Sequence, residues 1–248
     1  MSKIILITGG SEGIGASTAY LAAKQGYTVC INYRQNQQGA DAVVNTIRQQ
    51  GGNAFAFRAD VSDEQQVLQL FETIDKQVGT IDALVNNAGI TAPQQRVSQM
   101  SAERLQQIFS INVIGSFLCA REAVKRLSTK NKGRGGSIVN LSSMAAVHGS
   151  PFEYVDYAAS KAAIDTMTVG LAKEVADEGI RVNAVRPGII YTAIHGKAGE
   201  PGRVDRMKDS VPMKRGGQPE EVARTILWLI SDEASYITGA LVNVSGGR

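Results

Sequence analysis

Four consecutive aliphatic residues, Ile4 to Ile7, run directly into Thr8-Gly9-Gly10-Ser11-Glu12-Gly13-Ile14-Gly15. A continuous apolar run of this kind is the pattern of a strand covered on both faces. A helical pattern follows at once, through Ala19, Leu21, Ala22 and Ala23. Strand, glycine turn and helix in this order restrict the chain to few folds, because such a strand needs helices on both sides of its sheet. The glycines let backbone come close to a pyrophosphate, and the helix N-terminus offers it unpaired N–H groups and the positive end of a dipole. The spacing is G-x-x-x-G-x-G, and a tight turn needing positive φ is the plainer alternative.

The rest of the chain repeats the alternation. Residues 27–33, 53–59, 81–85, 137–141, 181–185 and 241–244 read as further strands. Helical patterns fall at 39–50, at 102 to about 128, from about 155, and at 219–230 with Pro219 in the favoured first position. Another helix ends near 77, and Ser62 with Gln65 reads as the capping box that opens it. A stretch rich in Gly, Pro and charge, about 193–212, lacks an apolar period and reads as a mobile lid carrying a short helix. The alternation predicts an α/β fold: one domain over 1–248, built on a doubly wound parallel sheet with helices on both faces. The strand ends at Thr8, Arg34, Asp60, Asn86, Ser142 and Pro187 should then share one edge, where a ligand crevice forms.

Composition excludes several classes. With 248 residues, 43% of them hydrophobic, the chain can bury a substantial core. Lys and Arg (26) nearly balance Asp and Glu (23), which leaves no nucleic-acid footprint. The apolar start is too short for a membrane span and no cleavage site follows it. Cys30 and Cys119 are too few for a disulfide framework and read as buried thiols. The expectation is a soluble, cytoplasmic protein with no nucleic-acid partner, no membrane partner and no metal.

Tyr157 and Lys161 are four residues apart with no helix breaker between them, so they lie on one helix face. A free tyrosine, with a pKa near ~10, is a poor acid or base at neutral pH. A neighbouring ammonium should draw that pKa down and fit the phenol to move a proton to or from a substrate oxygen. Alone, the pair is far more often an ordinary surface feature, because such pairs are common on helices. Arg34 stands where an acidic side chain would hydrogen-bond the ribose 2′-hydroxyl of NAD, and a guanidinium suits a 2′-phosphate instead. NADP(H) is therefore favoured. NAD(H) stays open, because Glu12 in the glycine turn would repel that phosphate. Asp60 either accepts from the adenine amino group or supports its turn. Asn112, polar inside an apolar helix, either distorts the backbone or is an amide satisfied in the core. The basic run from Arg121 to Arg134 either docks an acidic carrier or is a solvated face.

With these residues assembled, the chain resembles the short-chain dehydrogenase/reductase family over nearly its whole length. The resemblance rests on Thr8-Gly9-x-x-x-Gly13-x-Gly15, Asn86-Asn87-Ala88-Gly89, Asn112, Ser143, Tyr157-x-x-x-Lys161 and Pro187-Gly188. It implies a seven-stranded Rossmann sheet and hydride exchange between a nicotinamide cofactor and a carbonyl or secondary alcohol. Tyr157 would be the general acid/base and Lys161 would lower its pKa and hold the ribose. Ser143 would bind the substrate oxygen, and Asn112 would hold a relay water. Gly9, Ser11, Gly13, Ile14 and Gly15 would meet the pyrophosphate side of the cofactor, and Asp60 and Val61 the adenine. Asn86, Ala88 and Gly89 would meet the central ribose, and Pro187, Gly188, Ile190 and Thr192 the nicotinamide. Family members are commonly homotetramers, with the segment from Ser235 to Gly239 at an interface. The segment from Ser143 to Tyr157 is one residue longer than the commonest family spacing, which reshapes the wall around His148, Phe152, Glu153 and Tyr154.

The nearest likeness is to bacterial glucose dehydrogenase-like members. His148, Glu153, His195, Arg203 and Arg206 would suit a sugar or another small polar carbonyl compound. A 3-oxoacyl-carrier-protein reductase is the alternative enzyme. A regulator that senses NADP(H) without turnover is the alternative of another class, and the complete catalytic set argues against it.

Overall fold

The computed structural model describes residues 2–248. The first strand, β1 (Ile4–Ile7), leads through the glycine turn into α1 (Gly13–Lys24). The chain continues through β2 (Thr28–Tyr33), α2 (Gln37–Gln49), β3 (Asn53–Arg58), α3 (Glu64–Gln77) and β4 (Ala83–Asn86). Next come α4 (Ala102–Phe109), a π-helical turn (Ser110–Ile114), α5 (Gly115–Leu127), β5 (Gly136–Leu141) and a four-residue α6 (Ala145–His148). The long α7 (Val155–Val175) precedes β6 (Ile180–Pro187), two short helices α8 (Ile194–Lys197) and α9 (Arg203–Met207), α10 (Pro219–Ile230) and β7 (Leu241–Val244).

All seven strands are parallel, in the order β3-β2-β1-β4-β5-β6-β7. This is the doubly wound sheet that the alternation predicts. The pleat sends successive side chains of β1 to opposite cores. Ile5 and Ile7 pack with Val29, Ile31, Val85, Val139 and residues of α1, α2 and α10. Leu6 packs on the other side with Cys30, Leu84, Ile138 and residues of α3, α5 and α7. A run buried on both faces is therefore aliphatic at every position. After β3 the chain crosses to β4 on the far side of β1, so the order of winding reverses between β1 and β4. A crevice opens beyond the strand ends at such a reversal.

Two local expectations are corrected. The helix α3 is not opened by Ser62 with Gln65. Asp63 caps it, accepting from the Gln66 N–H at 3.2 Å. Ser62 is captured by Asp60, whose Oδ1 accepts from both its N–H and its hydroxyl at 3.0 and 2.6 Å. The 193–212 stretch carries two short helices rather than one, and paired charges hold them where an apolar face would otherwise be needed. The helical region at 102–128 is interrupted at Asn112, as its polar side chain inside an apolar pattern suggests.

Candidate active site

One cavity of about 870 Å³ runs along the C-terminal edge of the sheet and crosses the reversal between β1 and β4. Its floor is the glycine turn. Gly9 (φ +62°) and Gly13 (φ +56°) hold the left-handed conformation that side chains resist. Thr8 Oγ1 accepts from the N–H groups of Asn87 and Ala88, both at 3.0 Å. The Asn87 amide donates back to the carbonyls of Thr8 and Gly9, both at 2.9 Å. The turn is thus braced from β4 before any ligand arrives, with Gly9, Ser11, Gly13 and Ile14 along the cavity. This cradle, opening onto the N-terminus of α1, fits a dinucleotide pyrophosphate.

Arg34, Asp60 and Val61 line one end of the cavity. Arg34 Nη1 donates to Asp60 Oδ2 at 3.4 Å, so the two residues assigned separately to phosphate and adenine are partners. Burial pushes the Asp60 carboxyl up, but hydrogen bonds from Ser62 and Arg34 outweigh it and hold the group below the usual carboxylate range. Glu12 is not left facing the cavity unopposed either. It pairs with Lys197 of α8, which neutralises the charge that argued against a 2′-phosphate.

Ala88, Gly89, Pro187, Gly188, Ile190 and Thr192 line the middle of the cavity, and Ser143, Tyr157 and Lys161 meet there. Lys161 is buried, and its Nζ donates to the Leu141 carbonyl at 2.7 Å. A side chain at Gly89 would come within 3.3 Å of that Nζ, so the glycine makes room for the ammonium. Burial lowers the Lys161 pKa to about 8, and Asp165 on the next turn partly opposes the fall. The two serines divide their work. Ser142 is buried and donates to the Lys161 carbonyl at 3.1 Å, fastening α7 to the end of β5. Ser143 Oγ accepts from the Ala145 N–H at 3.1 Å and lies close enough to the Tyr157 phenol to lower its pKa.

One electrostatic expectation is reversed. Burial pushes the Tyr157 phenol above its ordinary pKa, and the Ser143 hydrogen bond offsets only part of that rise. The Lys161 ammonium lies 5.6 Å from the ring centroid and donates to the Leu141 carbonyl, and burial outweighs any draw it exerts on the phenol. A phenol held up in this way stays protonated at neutral pH. The start of α7 is itself pinned. Arg104 Nε donates to the buried Asp156 at 2.6 Å, and Asp156 Oδ1 accepts from the Tyr157 N–H at 2.9 Å.

Three residues expected at the site lie behind it. Asn86 is buried, its amide donating to the Ser116 carbonyl at 3.1 Å and to Asn140 Oδ1 at 3.0 Å. Gly15 packs under the turn, where a Cβ would stand 2.5 Å from the Gly9 carbonyl. The Asn112 amide is spent on protein groups. It accepts from the Ile90 N–H at 2.8 Å and donates to the Ile90 carbonyl at 2.9 Å and to Ser160 at 3.0 Å. Asn32 has a part that sequence reasoning missed. Its amide donates to the Ala59 carbonyl at 2.9 Å and its Oδ1 faces the Gly9 N–H at 3.4 Å. A lone amide within the apolar run 27–33 was the available signal.

The charges expected to greet a polar substrate are bound to one another. Arg203, almost buried, pairs with Glu153 and Glu200, and Arg206 pairs with the same two acids. The Gln94 amide donates to Glu200 at 2.7 Å, so the network joins the 193–212 stretch to the segments after β4 and β5. The His195 ring donates to the Ile190 carbonyl at 3.0 Å, and burial lowers its pKa, which keeps it neutral. Most of the basic run is paired too: Arg121 with Glu64, Arg126 with Asp75, Lys130 with Asp177 and Arg134 with Asp82. Among the described residues there is no group of three His, Cys, Asp or Glu placed to hold a metal ion. Among them too, no helix is long and apolar enough to cross a membrane.

A phenol, a buried amine and a hydroxyl beside a dinucleotide cradle define a nicotinamide-dependent oxidoreductase of the Rossmann type. The comparisons agree. A family model described as Enoyl-(Acyl carrier protein) reductase matches residues 9–248, and the chain belongs to the short-chain dehydrogenase/reductase family. It is 58% identical over 245 residues to the uncharacterized oxidoreductase YgfF of Escherichia coli, covering 99% of each chain. It is 38% identical to glucose 1-dehydrogenase 2 of Bacillus subtilis, covering 99% of this chain and 94% of that one. Among solved structures, a short-chain type dehydrogenase/reductase from Mycobacterium marinum superposes with a TM-score of 0.92 at 34% identity, over 99% of this chain and 94% of that one. A 3-ketoacyl-(acyl-carrier-protein) reductase from Brucella melitensis, in complex with NADH, gives 0.91 at 33%, over 99% and 98%. The protein is an oxidoreductase that exchanges a hydride between a nicotinamide cofactor and a carbonyl or alcohol.

Proposed function

We propose that the protein reduces a small carbonyl compound with NADPH, using Tyr157 as the acid. The observation that carries this reading is the meeting of Ser143, Tyr157 and Lys161 in the cavity that holds the glycine turn. The nicotinamide cofactor, when bound, supplies the hydride. Gly9, Gly13 and Ile14 hold its pyrophosphate, and Lys161 orients the nicotinamide ribose. Ser143 hydrogen-bonds the carbonyl oxygen and sets its distance from the phenol. Tyr157, protonated because burial raises its pKa, gives that oxygen its proton as negative charge develops. Asn112 fixes Ile90, and with it the far wall of the substrate pocket. The 193–212 segment closes over the pocket as a lid. Oxidation of reduced cofactor should follow addition of ketones, diketones, sugars or a short 3-oxoacyl thioester. Silence across that panel with both cofactors would refute the reading.

The NADP(H) preference rests on Arg34. It is two-fifths exposed and makes one long contact to Asp60, so most of its donors are free for a 2′-phosphate. Arg34→Ala should lower kcat/KM for NADPH by about 10-fold and leave that for NADH within about 2-fold, by analogy with other charge-assisted phosphate contacts. Equal losses with both cofactors would remove Arg34 as the cause.

A homotetramer completes the proposal. Leu105, Phe109, Ile114 and Phe117 are exposed along α4 and α5, while Trp228 and Tyr236 are exposed in and after α10. Two separate apolar patches match the two kinds of two-fold contact in a tetramer with dihedral symmetry. Light scattering should give four times the 26.4 kDa chain mass, and a monomer would overturn this. A 3-oxoacyl-carrier-protein reductase is the second reading: ion pairs hold Arg121, Arg126, Lys130 and Arg134, while Lys132 in the same run has no ion pair among the described residues.

A further inference from the structure

Two hydroxyls beside the catalytic groups are buried without a hydrogen-bond partner, Tyr154 Oη and Thr91 Oγ1. Both residues line the cavity that contains Tyr157. A buried hydroxyl left unpaired costs about 1–3 kcal/mol, so such a group calls for an explanation. Neither residue is loosely held. Tyr154 is 6% exposed and lies under the Arg203 guanidinium, 4.9 Å from ring centroid to guanidinium carbon. Its N–H donates to the Ser150 carbonyl and its own carbonyl accepts from Ala158, so it sits at the mouth of α7, about one turn before Tyr157. Thr91 follows Ile90, whose N–H and C=O are both clamped by Asn112.

We propose that Tyr154 and Thr91 select the substrate, a neutral compact carbonyl compound carrying a second oxygen beside the reacting carbon. The inference rests on the oxidoreductase reading and names the substrate class of that site. Tyr154 is the N-cap residue of α7, about one turn before Tyr157, and both line the same cavity, which suits an oxygen on a carbon close to the reacting one. Charge recognition at this end is already spent. Glu153, Arg203, Glu200 and Arg206 satisfy one another, and His195 is tied to a carbonyl. What remains unpaired is neutral and hydroxylic, and it fits a hydroxyl or a second carbonyl rather than a carboxylate or phosphate. A site built to hydrogen-bond an oxygen rejects the analogue that lacks it, because its own groups then stay unpaired.

The test compares butane-2,3-dione and 3-hydroxybutan-2-one with butan-2-one, in the wild-type protein and in Tyr154→Phe and Thr91→Val. The wild type should favour the oxygenated ketones by at least about 100-fold in kcat/KM. Tyr154→Phe should shrink that gap to about 10-fold or less, chiefly by raising KM for the oxygenated ketones, with Tm unchanged because no protein contact is lost. Butan-2-one itself should react within about 3-fold of its wild-type rate, since the hydroxyl does not serve it. A second measurement does not need turnover. Butane-2,3-diol with the oxidised cofactor should raise the Tm of the wild type and not that of Tyr154→Phe. Turnover indifferent to the second oxygen would overturn the inference and leave the oxidoreductase reading intact. A Tyr154→Phe variant that slows all three ketones alike would also overturn it, marking the hydroxyl as the seat of a structural water. Absence of turnover, with the diol still discriminating the two proteins, would uphold the oxygen-binding pair and refute the reductase reading.

Discussion

Tyr157→Phe should lower kcat for carbonyl reduction by about 10³-fold, within the range for loss of a positioned acid, while cofactor affinity stays within about 2-fold. The substitution removes one oxygen and keeps the ring beside Lys161, so the cradle formed by the glycine turn is untouched. The raised pKa of the phenol fixes the pH dependence. Reduction needs the protonated form, so it should hold across neutral pH and fall only in the alkaline range where the phenol ionises. Oxidation of the corresponding alcohol needs the phenolate and should rise with pH over the same range. Steady-state rates and a fluorescence titration with reduced cofactor measure the two halves of the prediction. A variant retaining more than a tenth of the wild-type kcat would refute Tyr157 as the acid.

Lys161→Met should also abolish most turnover, by about 10²-fold or more, and should change how stability depends on pH. Burial sets the folded pKa of Lys161 at about 8, below the 10.5 of an ordinary lysine. Between those values the unfolded chain holds a proton that the folded chain has released. Stability from this group therefore rises with pH across the window from about 8 to 10.5, and the cost of burying the ammonium is fully present below it. Methionine has no such dependence. Relative to Lys161→Met, the wild type should gain roughly 3 kcal/mol of unfolding free energy on going from neutral pH to pH above the window. Urea unfolding at several pH values measures this, and the difference between the proteins cancels groups common to both. Parallel curves would mean that Lys161 titrates as an exposed lysine and that its burial has no energetic consequence.

The second prediction shows how far the sequence carried. Spacing placed Lys161 one turn from Tyr157, and that is where α7 puts it. Spacing did not say which way the ammonium points. The Leu141 carbonyl, twenty residues back in the chain at the end of β5, takes its hydrogen bond. Asn86 and Asn87 give a sharper case. Adjacent residues at the end of a strand face opposite ways. Asn86 therefore turns into the helix layer toward Ser116 and Asn140, and Asn87 reaches the glycine turn. Nothing in the pair itself distinguishes them. Nothing in the Ser142-Ser143 pair itself separates them either; the fold ties Ser142 to the Lys161 carbonyl and leaves Ser143 along the cavity.

The sequence by itself determined the alternation of strands and helices, the glycine turn and the placing of Tyr157 and Lys161 on one face of α7. These follow from short-range causes: the periods of strand and helix, the freedom of glycine at positive φ, and the four-residue spacing of one helix face. The tertiary structure alone decided which charges are free. Glu12 and Lys197 are 185 residues apart, and Arg203 and Glu153 are 50 apart. Glu12 read as an unopposed charge, and Arg203 and Glu153 as open to a substrate, until the fold brought their partners within reach. The same holds for the Tyr157 phenol, because its pKa reports burial, and burial is made by elements that the local sequence does not name.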